Sequence, residues 1–172
     1  YTPAHVTATI STDKKTITYT PNANWFSPEG APEVLYYTAK DSSDKTERFT
    51  ISVTVTSVND LPVITPDDLP NVTTAEDTVT SAITFTVSDV ETAAGSLTVA
   101  ATHLNGVLLP AITVTKGTDG ACTFTVLPNT DKVGNTTVTV RVTDADGGQD
   151  EDTFTLTVTP VNDLPQAGND SF

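Results

Sequence analysis

The 172 residues include no methionine, one cysteine, one tryptophan and two histidines, and only eight are lysine or arginine. Each scarcity excludes something. A single cysteine cannot form an internal disulfide, so stability has to come from packed cores or bound ions. Two histidines and a lone cysteine give no zinc-ligand spacing, and His5 and His103 sit in no catalytic pattern; His103, before Leu104-Asn105-Gly106, reads as a surface turn residue. Eight bases against 22 acids leave a net charge of −14, which repels phosphates and argues against a nucleic-acid partner. No apolar run approaches the roughly 18 residues that cross a bilayer, so membrane insertion is not expected. A glycine-rich phosphate loop and a nucleophile elbow are also missing, and the chain is not expected to be an enzyme. It opens on neither Met nor a charged-then-apolar leader, so it reads as a mature form or a piece of something longer.

What is abundant is β-branched. Thirty-six threonines and twenty valines make up about a third of the chain. Such side chains are stiff at χ1 and fit a pleated, half-buried surface, so strands rather than helices are expected. Cys122 lies in the alternating run Ala121-Cys122-Thr123-Phe124-Thr125-Val126, on the face of Phe124 and Val126, and reads as a buried, inert thiol.

The chain repeats itself. Val58-Asn59-Asp60-Leu61-Pro62 returns as Val161-Asn162-Asp163-Leu164-Pro165, 103 residues later, and both follow a period-2 strand. An Asp stands eighteen residues before each Asn, at Asp41 and Asp144, and Tyr19-Thr20-Pro21-Asn22 parallels Val126-Leu127-Pro128-Asn129. These matches in one order define a repeat array. Residues 62–165 form a complete copy, with strands expected near 72–80, 82–88, 96–102, 111–116, 121–127, 136–143 and 152–159. Each has one apolar and one Thr-rich face, the pattern of two antiparallel sheets sharing a core. Seven short strands in about 100 residues predict an all-β, immunoglobulin-like or cadherin-like Greek-key sandwich. Residues 1–61 read as the C-terminal part of a first copy, with Tyr1 aligned near Leu108 and about 45 residues missing before it. Its inward pattern persists in Ile17, Tyr19, Leu35, Tyr37, Ile51 and Val53, and half a sandwich would expose that face. Residues 166–172 start a linker to a following repeat.

Acids are concentrated in the complete copy. Residues 58–172 contain sixteen acids and three bases, against six and five in 1–57. The acids fall at turns and strand ends: Asp60, Glu76-Asp77, Asp89-Val90-Glu91, Asp131, Asp144-Ala145-Asp146 and Asp163. Hard cations the size of calcium take six to eight oxygens from such flexible ligands. The bland alternative for any one of them is a solvated acidic surface.

Val-Asn-Asp-Leu-Pro resembles the Asn-Asp-x-Pro linker of cadherin-like and bacterial immunoglobulin-like tandem repeats of large surface adhesins. Thr18-Tyr19-Thr20-Pro21-Asn22 with Trp25-Phe26 is similar to their Tyr-Thr-Pro segment, Glu76-Asp77-Thr78 to their Glu-Asp-Thr, and Asp144-Ala145-Asp146-Gly147 to their Asp-x-x-Gly turn. The resemblance implies calcium seams between repeats. At an upper seam Asn59 and Asp60 would join Asp89, Glu91, Asp144 and Asp146; at a lower one Glu76, Asp131, Asn162 and Asp163 would await a following repeat. Ser57 and Pro160 stand where cadherin linkers carry an Asp, which implies fewer or weaker ions. The first copy has Asp41-Ser42-Ser43 in place of the Asp-x-Asp, which leaves its own seam poor in ligands. The implied function is a calcium-stiffened stalk repeat, extracellular on a bacterial surface, whose partners are neighbouring repeats of its own chain. Two alternatives stay open: a glycan or protein ligand on the Trp25–Pro32 loop, or strand exchange between subunits of a fibre or surface layer.

Overall fold

The computed structural model describes residues 4–164. The chain divides into two compact units, the first running through Val58 and the second beginning at Asn59.

The second unit is a sandwich of two four-stranded sheets. Counting from the N-terminus, its strands are β5 (Val63–Thr65), β6 (Val72–Ala75), β7 (Ile83–Ser88), β8 (Thr98–His103), β9 (Thr115–Lys116), β10 (Ala121–Phe124), β11 (Gly134–Thr143) and β12 (Gln149–Thr159). One sheet has the order β5-β7-β10-β9 and the other β6-β12-β11-β8. The first strand is thus split: β5 pairs antiparallel with β7, and β6 crosses to run parallel with β12. Period-2 alternation puts Ile83, Phe85 and Val87 inward from one sheet, and Val138, Val140, Val142, Phe154, Leu156 and Val158 inward from the other. Cys122 is buried among them, next to Phe85, its cross-strand partner. Phe124 lies 6.4 Å from the Phe85 ring and 6.3 Å from that of Phe154, close to the spacing aromatic pairs favour.

Several strands are shorter than the alternation suggested. The run expected over 72–80 stops at Ala75, because Glu76-Asp77-Thr78 turns, with Asp77 at φ 58°. The strand expected over 111–116 is reduced to Thr115–Lys116, and that over 121–127 to Ala121–Phe124. Strand β5 was not anticipated, since three residues are too few to show a period. At the other extreme β11 and β12 extend to ten and eleven residues and pair along their whole facing length.

The first unit consists of two hairpins: β1 (Val6–Ile10) with β2 (Ile17–Pro21), and β3 (Glu33–Lys40) with β4 (Thr46–Val53). Val6 and Leu35 are buried, but Ile10 is 64% exposed and Phe49 37%. Ala8, Ile10, Ile17 and Tyr19 of one hairpin and Leu35 and Tyr37 of the other line an open apolar groove. The Glu33 carboxylate ties the hairpins, accepting from Ala4 N at 2.9 Å and meeting His5 Nδ1 at 3.1 Å.

The two units repeat the same local geometry. In the second, Asn129 N donates to Leu108 O and its side chain to Val107 O; in the first, Asn22 N donates to His5 O and its side chain to Ala4 O. His5, not Tyr1, is therefore the counterpart of Leu108. The four residues of offset lie in the β9–β10 region, where sequence alignment alone had no landmark.

Candidate functional site

The incoming linker is held against the second unit by its side chains and its backbone. Asn59 Nδ2 donates to Asp144 Oδ2 at 2.9 Å, and Asp60 N donates to Glu91 Oε2 at 3.1 Å. Pro62 is fully buried and anchors the far end of the segment. Asp144 is buried at the β11–β12 turn, and its other oxygen accepts from Asp146 N at 2.9 Å and Gly148 N at 2.7 Å. The Asn59 hydrogen bond, opposed by desolvation and aided by the turn amides, holds the Asp144 carboxyl below the usual carboxylate range.

Asp89 follows the end of β7, two residues before Glu91. Its Oδ1 caps the next turn, accepting from Glu91 N at 3.0 Å and Thr92 N at 2.5 Å, while Oδ2 is buried with no hydrogen-bond partner. A buried carboxylate oxygen left unpaired is costly, and it is the kind of atom that a bound ion satisfies. Asp146 is exposed and joins the cluster through its backbone N–H. Among the described residues no three acidic, histidine or cysteine side chains converge closely enough to cage an ion unaided.

At the opposite end Glu76 is buried and its Oε1 accepts from Val161 N at 2.7 Å, pinning the outgoing linker as β12 ends. Asp131, at φ 54°, donates its backbone N–H to Asp77 Oδ1 at 3.4 Å. Asn162 and Asp163 are exposed, and the Asn162 amide bonds to Asp163 O. The expected lower set is thus two pairs, Glu76 with the linker backbone and Asp131 with Asp77. Pro165 and residues 166–172, expected to begin the next linker, lie outside the described residues.

Neither linker end is neutralised. Among the described residues the ion pairs are His5–Glu33, Lys40–Asp44 and Arg141–Glu151. Lys116 spends its ammonium on the carbonyls of Ala94 and Gly95, at 2.8 Å each.

Two acids that sequence reasoning passed over have a defined place. Asp150 Oδ2 accepts from Ile64 N at 2.9 Å and Asp152 Oδ2 from Leu69 N at 2.6 Å, fastening the split first strand to β12. Their signal was the alternation in Gln149-Asp150-Glu151-Asp152, which points both to one face while Glu151 turns to Arg141. His103 is half-buried, not a surface turn residue, because its Nε2 lies 2.9 Å from Pro110 O. Trp25 is half-buried and stacked on His5 at 4.7 Å, so one ring face is already covered.

Two β-sheets closed on one core, with a split first strand and linkers held at opposite ends, define an immunoglobulin-like and cadherin-like tandem repeat. The bacterial Ig domain family matches residues 1–54 and 59–159, and the chain belongs to that family. It is similar in fold to protocadherin gamma B2 extracellular cadherin domains 1–5 (TM-score 0.56, 18% identity, covering 91% of this chain and 30% of that one). Domains 3–6 of the same protocadherin give a TM-score of 0.55 at 17% identity, covering 91% and 37%. The titin domains Z1Z2, solved in complex with telethonin, give 0.50 at 13%, covering 92% and 74%. The chain spans about a third of the protocadherin fragments. No curated protein shows significant similarity to it. Bacterial Ig and cadherin-like domains are typically non-enzymatic and extracellular, and no helix among the described residues is long and apolar enough to cross a membrane.

Proposed function

We propose that this structural, adhesion-type repeat is part of a calcium-stiffened stalk carrying a binding domain away from a bacterial surface. The observation that carries the reading is the buried, unpartnered Asp89 Oδ2, one turn from the Glu91 carboxylate that receives the linker. Asp89, Glu91, Asp60 and Asp144 would hold the ion, with Asn59, backbone carbonyls and water completing the six to eight oxygens that calcium takes. Bound calcium supplies a positive charge that reverses the local field of these acids. The protein does the rest. Asn59 and Asp60 lock the linker to the unit it enters, Glu76 locks the linker that leaves, and the sandwich between them is the rigid spacer. Without a cation, like charges at a linker end repel, and the Asn59 and Asp60 hydrogen bonds alone hold the linker to its unit. Affinities of roughly 10⁻⁴–10⁻³ M suit extracellular modules. Calorimetric titration of the chain is expected to show calcium binding in that range. Asp89→Asn is expected to weaken it at least tenfold, and equal binding by the variant would refute the assignment.

A second reading rests on the open apolar groove of the first unit, which offers β-strands of another subunit a face to complete. Concentration-dependent filaments would support it, and a monomer at high concentration would count against it.

A further inference from the structure

The chain carries the same five-residue turn twice, and in the second unit the incoming linker is docked on it. In Asp144-Ala145-Asp146-Gly147-Gly148, Asp144 N donates to Gly148 O, and Asp144 Oδ1 accepts from residues 146 and 148 at 2.9 and 2.7 Å. In Asp41-Ser42-Ser43-Asp44-Lys45, Asp41 N donates to Lys45 O, and Asp41 Oδ1 accepts from residues 43 and 45 at 2.8 and 2.9 Å. The fourth residue is left-handed in both, Gly147 at φ 89° and Asp44 at φ 65°. The side chains differ at every position after the first, and the difference that bears on the linker is at the fifth, Gly148 against Lys45. Gly148 has an ordinary backbone conformation, so its φ does not demand glycine. Space does. A Cβ there would overlap Asp144 Oδ2, the atom that accepts from Asn59, and would approach Leu61 Cδ2 at 3.0 Å and Asn59 Nδ2 at 3.1 Å, so these side-chain ends would have to move from where they hold the linker. Lys45 carries that Cβ, and the turn around it keeps every one of its hydrogen bonds. The turn tolerates a side chain at this position, whereas the linker side chains beside Gly148 would have to move to admit one.

We infer that the fifth residue of this turn decides which repeats accept an Asn-Asp-Leu-Pro linker: glycine opens the seat beside the turn's aspartate, and a side chain fills it. Gly148 is thus a positioning residue for Asn59 and Leu61, and the turn at Lys45 belongs to a unit that does not seat such a linker. An array built of both kinds of turn has a docked joint where the fifth residue is glycine and a free one where it is not, whatever ion each joint binds. The inference is independent of the calcium reading, because the seat is formed by protein atoms alone.

The test is made in EDTA, on the whole chain, by ¹⁵N relaxation. In the unmodified protein Asp60 and Leu61 are expected to show heteronuclear NOEs like those of β11 and β12. Gly148→Lys is expected to drop them to values typical of a flexible linker, while the amides of residues 146 and 148 keep their shift pattern and slow exchange. Asn59→Ala, which leaves the glycine in place, is expected to loosen the same two residues. A linker that stays ordered in Gly148→Lys would overturn the inference. So would loss of the turn amides in that variant, because the glycine would then serve the turn and not the linker.

Discussion

Asp144 divides its two carboxylate oxygens between two tasks, one for its own turn and one for Asn59. Because Asn59 is the largest cause of its lowered pKa, removing that amide has a measurable consequence. In Asn59→Ala the Asp144 titration midpoint, followed by carboxylate ¹³C shifts, is expected to rise toward the ordinary Asp value of about 3.9. The sign follows from linkage. A depressed folded-state pKa contributes stability that is present above the unfolded value and lost as pH falls through the folded one. The variant is therefore expected to be less stable at neutral pH and to lose less stability than the unmodified chain as pH falls through the acid range, and an unchanged midpoint would contradict the assignment. Burial acts the other way on Cys122, whose thiol is pushed above its usual range by desolvation. Native protein is expected to react with a disulfide reagent only slowly, and denatured protein quickly. The burial of Cys122 was legible in the sequence because two inward neighbours flank it in strict alternation. The half-burial of His103 was not, since its partner is a backbone carbonyl seven residues away that no side-chain pattern reports.

At the level of elements, the best-read strands were those whose apolar alternation is long: β7, β11 and β12. Their inner faces form the core, and Phe124→Ala, between Phe85 and Phe154, is expected to cost about 3–5 kcal/mol in urea denaturation. Turn chemistry overrode strand propensity elsewhere. Threonine-rich composition over 72–80 favours extension, yet Asp77 takes a left-handed conformation that ends the strand. The split first strand was invisible for a related reason, because what holds it is two side-chain carboxylates meeting backbone amides more than eighty residues away. Asp152→Ala strips the acceptor from Leu69 N, and an unsatisfied amide of this kind costs about 1–3 kcal/mol. A loss of that size with unchanged strand content by circular dichroism is the expected outcome; no loss would mean that the crossover is held by packing alone.

For the whole molecule, repetition was the most readable feature, since two linkers 103 residues apart and their matching turns stand out without any structure. Which acids gather at which end was read less completely. Asp144 and Glu91 accept from the incoming linker and Asp89 from the Glu91 backbone, without forming a cage, whereas Asn162 and Asp163 stand exposed beyond β12. The difference is physical: spacing in a sequence shows which residues share a turn, but not whether a carboxylate is consumed by a backbone amide, as Glu76 is by Val161. On the reading proposed above, acids at both linker ends, without basic partners among the described residues, would make the stability of the chain a function of its cations. The most direct measurement is a thermal melt in EDTA, in millimolar calcium and in millimolar magnesium. Binding to the folded state alone contributes about 2.7 kcal/mol when free calcium is a hundred times the dissociation constant. Each kcal/mol moves the midpoint of a domain of this size by about 4–8 °C. The account predicts a rise of several degrees with calcium, little with magnesium, and its loss in Asp89→Asn and Asp60→Ala. Equal midpoints in EDTA and calcium would contradict it and leave the acids a solvated surface.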